Sequence, residues 1–271
     1  MTRLSIPALA LLLAACAGTP TSSSEERAVM PATDAALLAA VADPGRDAAQ
    51  RARDRYRHPA ETLAFFGLKP TDTVIEISPG SGWYSAILAP YLRDSGRYIA
   101  ASATPAPGRS SPLPALFAAD ASRYGRASLH WYDGKSPSLG APASADAVLT
   151  FRNVHNWVAA GTADTYFQAF FAALKPGGTL GVVDHRAKPG TDLETMKKSG
   201  YLTEALVIDL ATRAGFVLDA RSEVNANPAD SADHPNGVWT LPPTNRHDAT
   251  DAEKYRAIGE SDRMTLRFRK P

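Results

Sequence analysis

Two short polar clusters follow apolar runs. Arg152-Asn153-Val154-His155-Asn156 follows Val148-Leu149-Thr150-Phe151, and Asp184-His185-Arg186 follows Gly181-Val182-Val183. Apolar, β-branched runs of this length read as buried strands. If the two strands are parallel neighbours, their ends meet, and both clusters gather over one crevice. A histidine there is suited to take a proton near neutral pH. His155 and His185 are therefore candidate bases, with Asp184 as the carboxylate that would orient His185. Arg152 and Arg186 have the forked donors that hold an anionic substrate. Taken singly, each of these residues serves equally well as a polar rim that satisfies loop backbone. Two histidines and two arginines at neighbouring strand ends together point to a site. His155, Asp184 and His185 are also metal-ligand types. Consecutive side chains of an extended backbone point apart, however, so no metal is expected.

A second candidate region is Val74-Ile75-Glu76-Ile77-Ser78-Pro79-Gly80-Ser81-Gly82-Trp83-Tyr84. Its pattern is a strand, a bend of small residues and a helix start. Glycine permits a sharp bend and a close approach of ligand to backbone, and a helix start presents unpaired N–H groups. Glu76 suits a hydroxyl or amine better than a phosphate. The same residues also describe an ordinary strand-to-helix turn. Trp83 either covers a ligand or packs in the core.

These regions need a scaffold. The 271 residues are 44% hydrophobic with a net charge of +1, which disfavours a nucleic-acid partner held by bulk electrostatics. Near the N-terminus Arg3 precedes a short apolar segment, 4–15, too short to span a bilayer. It ends in Leu13-Ala14-Ala15-Cys16 and resembles a bacterial lipobox. Residues 1–15 are expected to be a signal peptide, and Cys16, the sole cysteine, a lipidated residue that anchors a periplasm-facing chain to the outer membrane. Residues 16–45 read as a tether and one short helix, 35–42, capped by Asp34. The main domain is 46–271.

Within that domain, 46–57 reads as one charged helix, and His58-Pro59 starts the next. Strands are expected at 73–77, 96–101, 128–132, 146–151, 179–183, 216–223 and 264–268. Helices are expected over 110–124, 166–174, 201–214 and 252–258. Asp133 lies just past the third strand. Residues 225–251, with Trp239 among prolines, form a long irregular stretch that either closes over the site or packs upon itself. Glu260-Ser261-Asp262-Arg263 reads as a charged turn. Strands alternating with helices imply a parallel sheet covered on both faces.

The order of parts resembles the class I, Rossmann-like S-adenosylmethionine-dependent methyltransferases. The resemblance rests on Glu76 followed by Ser78-Pro79-Gly80-Ser81-Gly82, on the strand ending at Phe151, and on Leu174-Lys175-Pro176-Gly177-Gly178 before a hydrophobic strand. Segments such as Tyr56-Arg57-His58-Pro59 and Gly237-Val238-Trp239-Thr240 look closest to a group of bacterial methyltransferases of unassigned substrate. The resemblance implies a three-layer, doubly wound, seven-stranded α/β sheet with an antiparallel last strand. It implies S-adenosylmethionine as cofactor and a small or envelope-associated methyl acceptor. Carried over, Glu76, Ser78, Gly80, Ser81, Gly82 and Trp83 hold the amino-acid end of the cofactor. Asp133 lies near the adenine, and Phe151 and Asn153 face the methyl group. Two departures stand out. Ser78 replaces the family's usual glycine, and the second strand ends Ala100-Ala101-Ser102-Ala103 without the acid that usually binds ribose. The alternative is a chain that keeps the fold and binds a small ligand without methyl transfer.

Overall fold

The computed structural model describes residues 1–2 and 34–271, so Cys16, the apolar leader and the tether lie outside the described residues. Helix α1 (Ala35–Ala42) begins where the Asp34 carboxylate accepts from the Leu37 N–H at 2.6 Å. This is the usual work of an aspartate cap. Residues 46–57 form two short helices, α2 (Ala48–Arg51) and α3 (Asp54–Arg57), rather than one. The break has a local cause. The Gln50 carbonyl, which would accept the Asp54 N–H in a continuous helix, takes the Trp83 indole N–H at 3.0 Å and the Arg53 N–H at 3.1 Å instead. Helix α4 (Pro59–Phe65) starts with proline at its first position, where no N–H is needed.

The rest of the chain alternates. In order come β1 (Thr73–Ile77), α5 (Ser85–Leu92), β2 (Arg97–Ala103), α6 (Leu113–Ala119), α7 (Ala121–Tyr124) and β3 (Ser128–Tyr132). Then follow β4 (Ala145–Phe151), α8 (Val154–Ala160), α9 (Ala163–Ala173), β5 (Leu174–His185), α10 (Leu193–Ser199) and α11 (Glu204–Arg213). The chain ends with β6 (Val217–Ser222), α12 (Ala252–Ile258) and β7 (Arg263–Arg269). Lys175 to Gly178, expected to be a turn, lies inside β5. A register shift between Ala145 and Ala147 on β4 absorbs these extra residues. Helix α8 was not expected from the sequence, although Val154, Trp157 and Val158 are spaced for one buried face and Gly161, at φ 71°, closes it.

The sheet has seven strands in the order β3-β2-β1-β4-β5-β7-β6. All neighbours are parallel except β7, which runs antiparallel to both β5 and β6. This is the doubly wound α/β architecture expected from the sequence. Strand alternation sends Ile75, Ile77, Val148, Leu180 and Val182 to a face packed by α8, α9 and α11. Val74, Ala147, Leu149 and Val183 go to the other face, packed by α1, α4 and α5. Among the described residues no helix is long and apolar enough to cross a membrane.

Gly181 shows how closely the second layer sits. A Cβ built there would lie 2.8 Å from Leu149 Cδ2 and 2.8 Å from the Phe66 ring. Gly181→Ala is expected to lower unfolding free energy by about 1–3 kcal/mol through overpacking. Urea denaturation should show a lower midpoint with an unchanged slope.

Candidate functional site

The chain leaves β1 in one direction to build β2 and β3, then returns to β1's other side as β4. Parallel sheets hold ligands at such a reversal, beyond the C-terminal strand ends. Here the backbone is unusual at both tips. After β1, Ser78, Gly80 and Gly82 have φ of 50°, 63° and 82°. After β4, Arg152 has φ of 62°. Left-handed backbone costs a non-glycine residue about 1–2 kcal/mol, and such residues concentrate at functional sites. The Ser78 N–H donates to the Ala101 carbonyl at 2.7 Å, and the Arg152 N–H donates to the Val183 carbonyl at 2.7 Å. Each tip is thus pinned to its neighbouring strand. Asn153 links the two: its Nδ2 donates to the Ile77 carbonyl at 3.0 Å and to Thr150 Oγ1 at 3.2 Å.

The bend itself divides into an open and a closed half. A Cβ at Gly80 would meet nothing within 4 Å, whereas one at Gly82 would lie 2.4 Å from Leu116 of α6. Ser81 is exposed, and Ser78, Pro79 and Ser102 are half-buried, so the accessible surface lies over β1 and β2. Ser78 Oγ is 3.4 Å from the Tyr132 hydroxyl, at the end of β3. Asp133 is exposed, and its Oδ1 accepts from the Lys135 N–H at 2.9 Å.

Three residues from the resemblance are engaged by the protein itself. Glu76 is buried and accepts from the Tyr98 hydroxyl at 2.5 Å and from Ser85 Oγ at 3.3 Å. Trp83 packs away from the bend: Arg46 and Arg57 lie over its ring, at 5.2 and 4.6 Å from the centroid. Phe151 stacks on Tyr84 with centroids 3.6 Å apart. None of these pairings was readable from spacing, because each partner comes from a distant element.

The polar clusters after β4 and β5 do meet. Asp184 is fully buried, and its Oδ1 lies 2.9 Å from His155 Nδ1. The same carboxylate accepts the His185 N–H at 2.8 Å and the His155 N–H at 3.3 Å. With Nδ1 engaged by Asp184, Nε2 is the His155 nitrogen left for another partner. The His155 and His185 rings are 5.0 Å apart. His185 Nδ1 is 2.6 Å from Ser261 Oγ. Burial, and then the nearby His155 and Arg152, pushes the His185 pKa well below its ordinary value, so its ring is neutral. His155, Asp184 and His185 bring potential ligand atoms within 4.8 Å of one another, despite the sequence adjacency of the last two. Both Asp184 oxygens already accept hydrogen bonds from the protein, an arrangement that orients an imidazole.

Arg186 is not an open anion holder. It is paired with Asp262, Glu204 and Glu223 at 2.9, 3.2 and 2.8 Å. A hollow of about 770 Å³ lies on its side of the sheet, lined by Arg186, Lys188, Thr203, Glu204 and Asp262, away from the glycine bend. Arg152, in contrast, makes no side-chain hydrogen bond among the described residues and faces Arg57, Arg263 and Glu260. Glu260 and Ser261, read from sequence as part of an exposed turn, are buried. The sequence held one hint of this cluster: Arg53 and Arg57 are four apart, which places them on one side of a helical turn.

No family model matches the chain, and no curated protein matches it. Solved structures do. An S-adenosylmethionine-dependent methyltransferase from Aquifex aeolicus aligns with a TM-score of 0.53 at 15% identity, covering 81% of this chain and 93% of that one. A geranyl diphosphate methyltransferase solved with S-adenosylmethionine aligns at 0.51 and 13% identity, covering 89% and 97%. The fold is that of the Rossmann-like methyltransferases. The [4+2]-cyclase SpnF aligns as well, with a TM-score of 0.57 at 17% identity, covering 87% of this chain and 91% of its own. A shared fold therefore leaves the reaction to be argued from the site.

Glu76 supplies a test of the geometry beneath the bend. Burial raises its pKa from 4.5 to about 7, against the lowering effect of the Tyr98 and Ser85 hydrogen bonds. Below pH 4.5 the group is protonated folded or unfolded. Between 4.5 and about 7 only the folded state keeps the proton, so stability falls as pH rises through that window. Glu76→Gln is expected to flatten this slope in chemical denaturation and to gain on the order of 3 kcal/mol relative to the parent at pH 8.

Proposed function

We propose that this chain binds S-adenosylmethionine across the tips of β1, β2 and β4 and transfers its methyl group to a small acceptor held beside His155. The observation that carries the reading is the pair of left-handed, non-glycine tips, Ser78 and Arg152, on the two strands that flank the reversal. The accessible groups there suit the cofactor. The open backbone at Gly80 and the Ser78 and Ser81 hydroxyls would receive its amino-acid end. Ser102 would stand in for the missing acid at the ribose, and Asp133 would lie toward the adenine. Asn153 would hold the tips in register, and Glu76, Trp83 and Phe151 would support the bend from behind.

When bound, S-adenosylmethionine supplies a methyl group made electrophilic by its sulfonium. His155 Nε2 would accept the proton that the acceptor's oxygen or nitrogen gives up. Asp184 holds His155 in the required tautomer and stabilises the imidazolium that results. His185 stays neutral, fixed by Ser261, and Trp239 sets its ring edge-on to His155 with centroids 6.3 Å apart.

A second reading, ligand binding without methyl transfer, is favoured by one feature: β2 ends without a carboxylate. Calorimetric titration with S-adenosylmethionine and with its demethylated product separates the two. Saturable binding of both supports the proposal, and no binding at millimolar ligand removes it. With binding in hand, His155→Ala is expected to lower kcat about 10²–10⁴-fold while leaving cofactor affinity unchanged. Asp184→Asn should lower kcat in the same direction.

The Leu13-Ala14-Ala15-Cys16 segment supports a further part of this reading, that Cys16 carries lipid and that the acceptor belongs to the cell envelope. Cys16→Ser should move the chain from the membrane to the soluble fraction of fractionated cells. Retention in the membrane would exclude this anchor.

A further inference from the structure

We propose that Arg53, Arg57, Arg152 and Arg263 form a binding site for a dianionic oxyanion of the phosphomonoester class, at the tips of β4 and β7 beside the histidine pair. The four guanidinium groups surround a single carboxylate. Glu260 pairs with Arg53 at 2.7 Å, with Arg57 at 3.1 Å and with Arg263 at 3.1 Å. One negative charge offsets one guanidinium and leaves three uncompensated. No neighbouring acid is free to help: Asp54 pairs with Arg46 at 2.8 Å, Asp262 with Arg186 at 2.9 Å and Asp184 with His155 at 2.9 Å.

The donors sort into spent and unspent. Arg263 is spent, since its Nε donates to the Ser261 carbonyl at 3.1 Å and its Nη2 to the Tyr56 carbonyl at 2.6 Å, besides the ion pair. Arg53 Nη2 and Arg57 Nη2 are buried with no hydrogen-bond partner. The Arg152 side chain has none among the described residues. Buried charged donors without acceptors are costly, and here they converge from α3 and the β4 tip. Burial lowers the pKa of Arg57 to about 10, with Arg152 the next cause and Glu260 opposing the shift. The cluster reaches solvent, because Arg152 is half-buried and the Arg53 side chain is 28% exposed.

Charge selects the ligand class. A carboxylate would leave two positive charges in a desolvated place, and a phosphomonoester one. The site adjoins the candidate base, because Arg263 is the direct β-sheet partner of His185, whose ring is 5.0 Å from that of His155. An acceptor anchored here by its anionic group would extend toward His155. That last clause rests on the proposed methyl transfer, whereas oxyanion binding does not.

The test is calorimetric titration of the full chain with inorganic phosphate at low ionic strength, without S-adenosylmethionine, against acetate as monoanion. The expected result is saturable phosphate binding with one site per chain and acetate at least about ten-fold weaker. Arg152→Gln, which removes no hydrogen bond of the described residues, should weaken phosphate about ten-fold or more. Arg57→Gln should do the same where it folds. No saturable binding of millimolar phosphate, or binding unchanged in Arg152→Gln, overturns the site. Acetate binding as tightly as phosphate overturns the dianion assignment. Phosphate binding without S-adenosylmethionine binding would leave this site standing and remove the methyltransferase reading, and the reverse result would do the opposite.

Discussion

A buried carboxylate among too many guanidinium groups ties together the end of the molecule that holds the candidate site. Glu260 joins α3 to the start of β7 across more than two hundred residues of sequence. A buried ion pair is weak evidence for net stability, but removing one partner is expensive, on the order of 3–5 kcal/mol. The consequence is geometric. With Glu260 fixed, Ser261 presents its hydroxyl to His185, and Arg263 takes its place opposite His185 in the sheet. His185 follows Asp184 directly, and Asp184 sets the ring of His155. The His155 ring is thus oriented by a run of contacts that starts at the N-terminal helices.

The sheet contributes a different constraint. Parallel strands put all their C-terminal ends on one side, and the reversal between β1 and β4 parts the loops there. Both tips at that reversal hold left-handed backbone at a side chain other than glycine, and Asn153 ties one to the other. The strain is sustained because each tip N–H is bonded to a neighbouring strand. A rigid, partly open surface over β1 and β2 then stands beside a polar wall of histidine and arginine. The structures that share this fold include two methyltransferases and a cyclase, so the architecture by itself does not name a reaction.

Much of the fold was legible because strand periodicity and its punctuation are local. The first and third strands fall at 73–77 and 128–132 as expected, and Asp34 and Pro59 mark the helix starts they were expected to mark. The meeting of the two polar clusters was legible too, since adjacent parallel strands must end together, but Asp184 turns to the His155 ring and leaves that of its neighbour His185 to Ser261. The errors have a common source. Residues 46–57 read as one helix because nothing local shows that Trp83 takes the Gln50 carbonyl. Arg186 read as a free anion holder because its three acidic partners come from three separate segments. Glu260 and Ser261 read as part of a solvated turn because charge normally lies outside, and burial of this glutamate depends on Arg53 and Arg57 from the far end of the sequence as well as on its neighbour Arg263.

The sequence by itself determined the alternation of strands and helices, the glycine bend and the residue types gathered at the strand ends. These depend on backbone sterics and on hydrophobic periodicity over a few residues. Only the tertiary structure decided which charges are spent and which are left over. Arg186 is neutralised and Arg152 is not, Glu76 is taken by Tyr98, and Trp83 is taken by two arginines. Ion pairing and desolvation depend on distance in space, and each of these partners is brought close by the folding of the sheet.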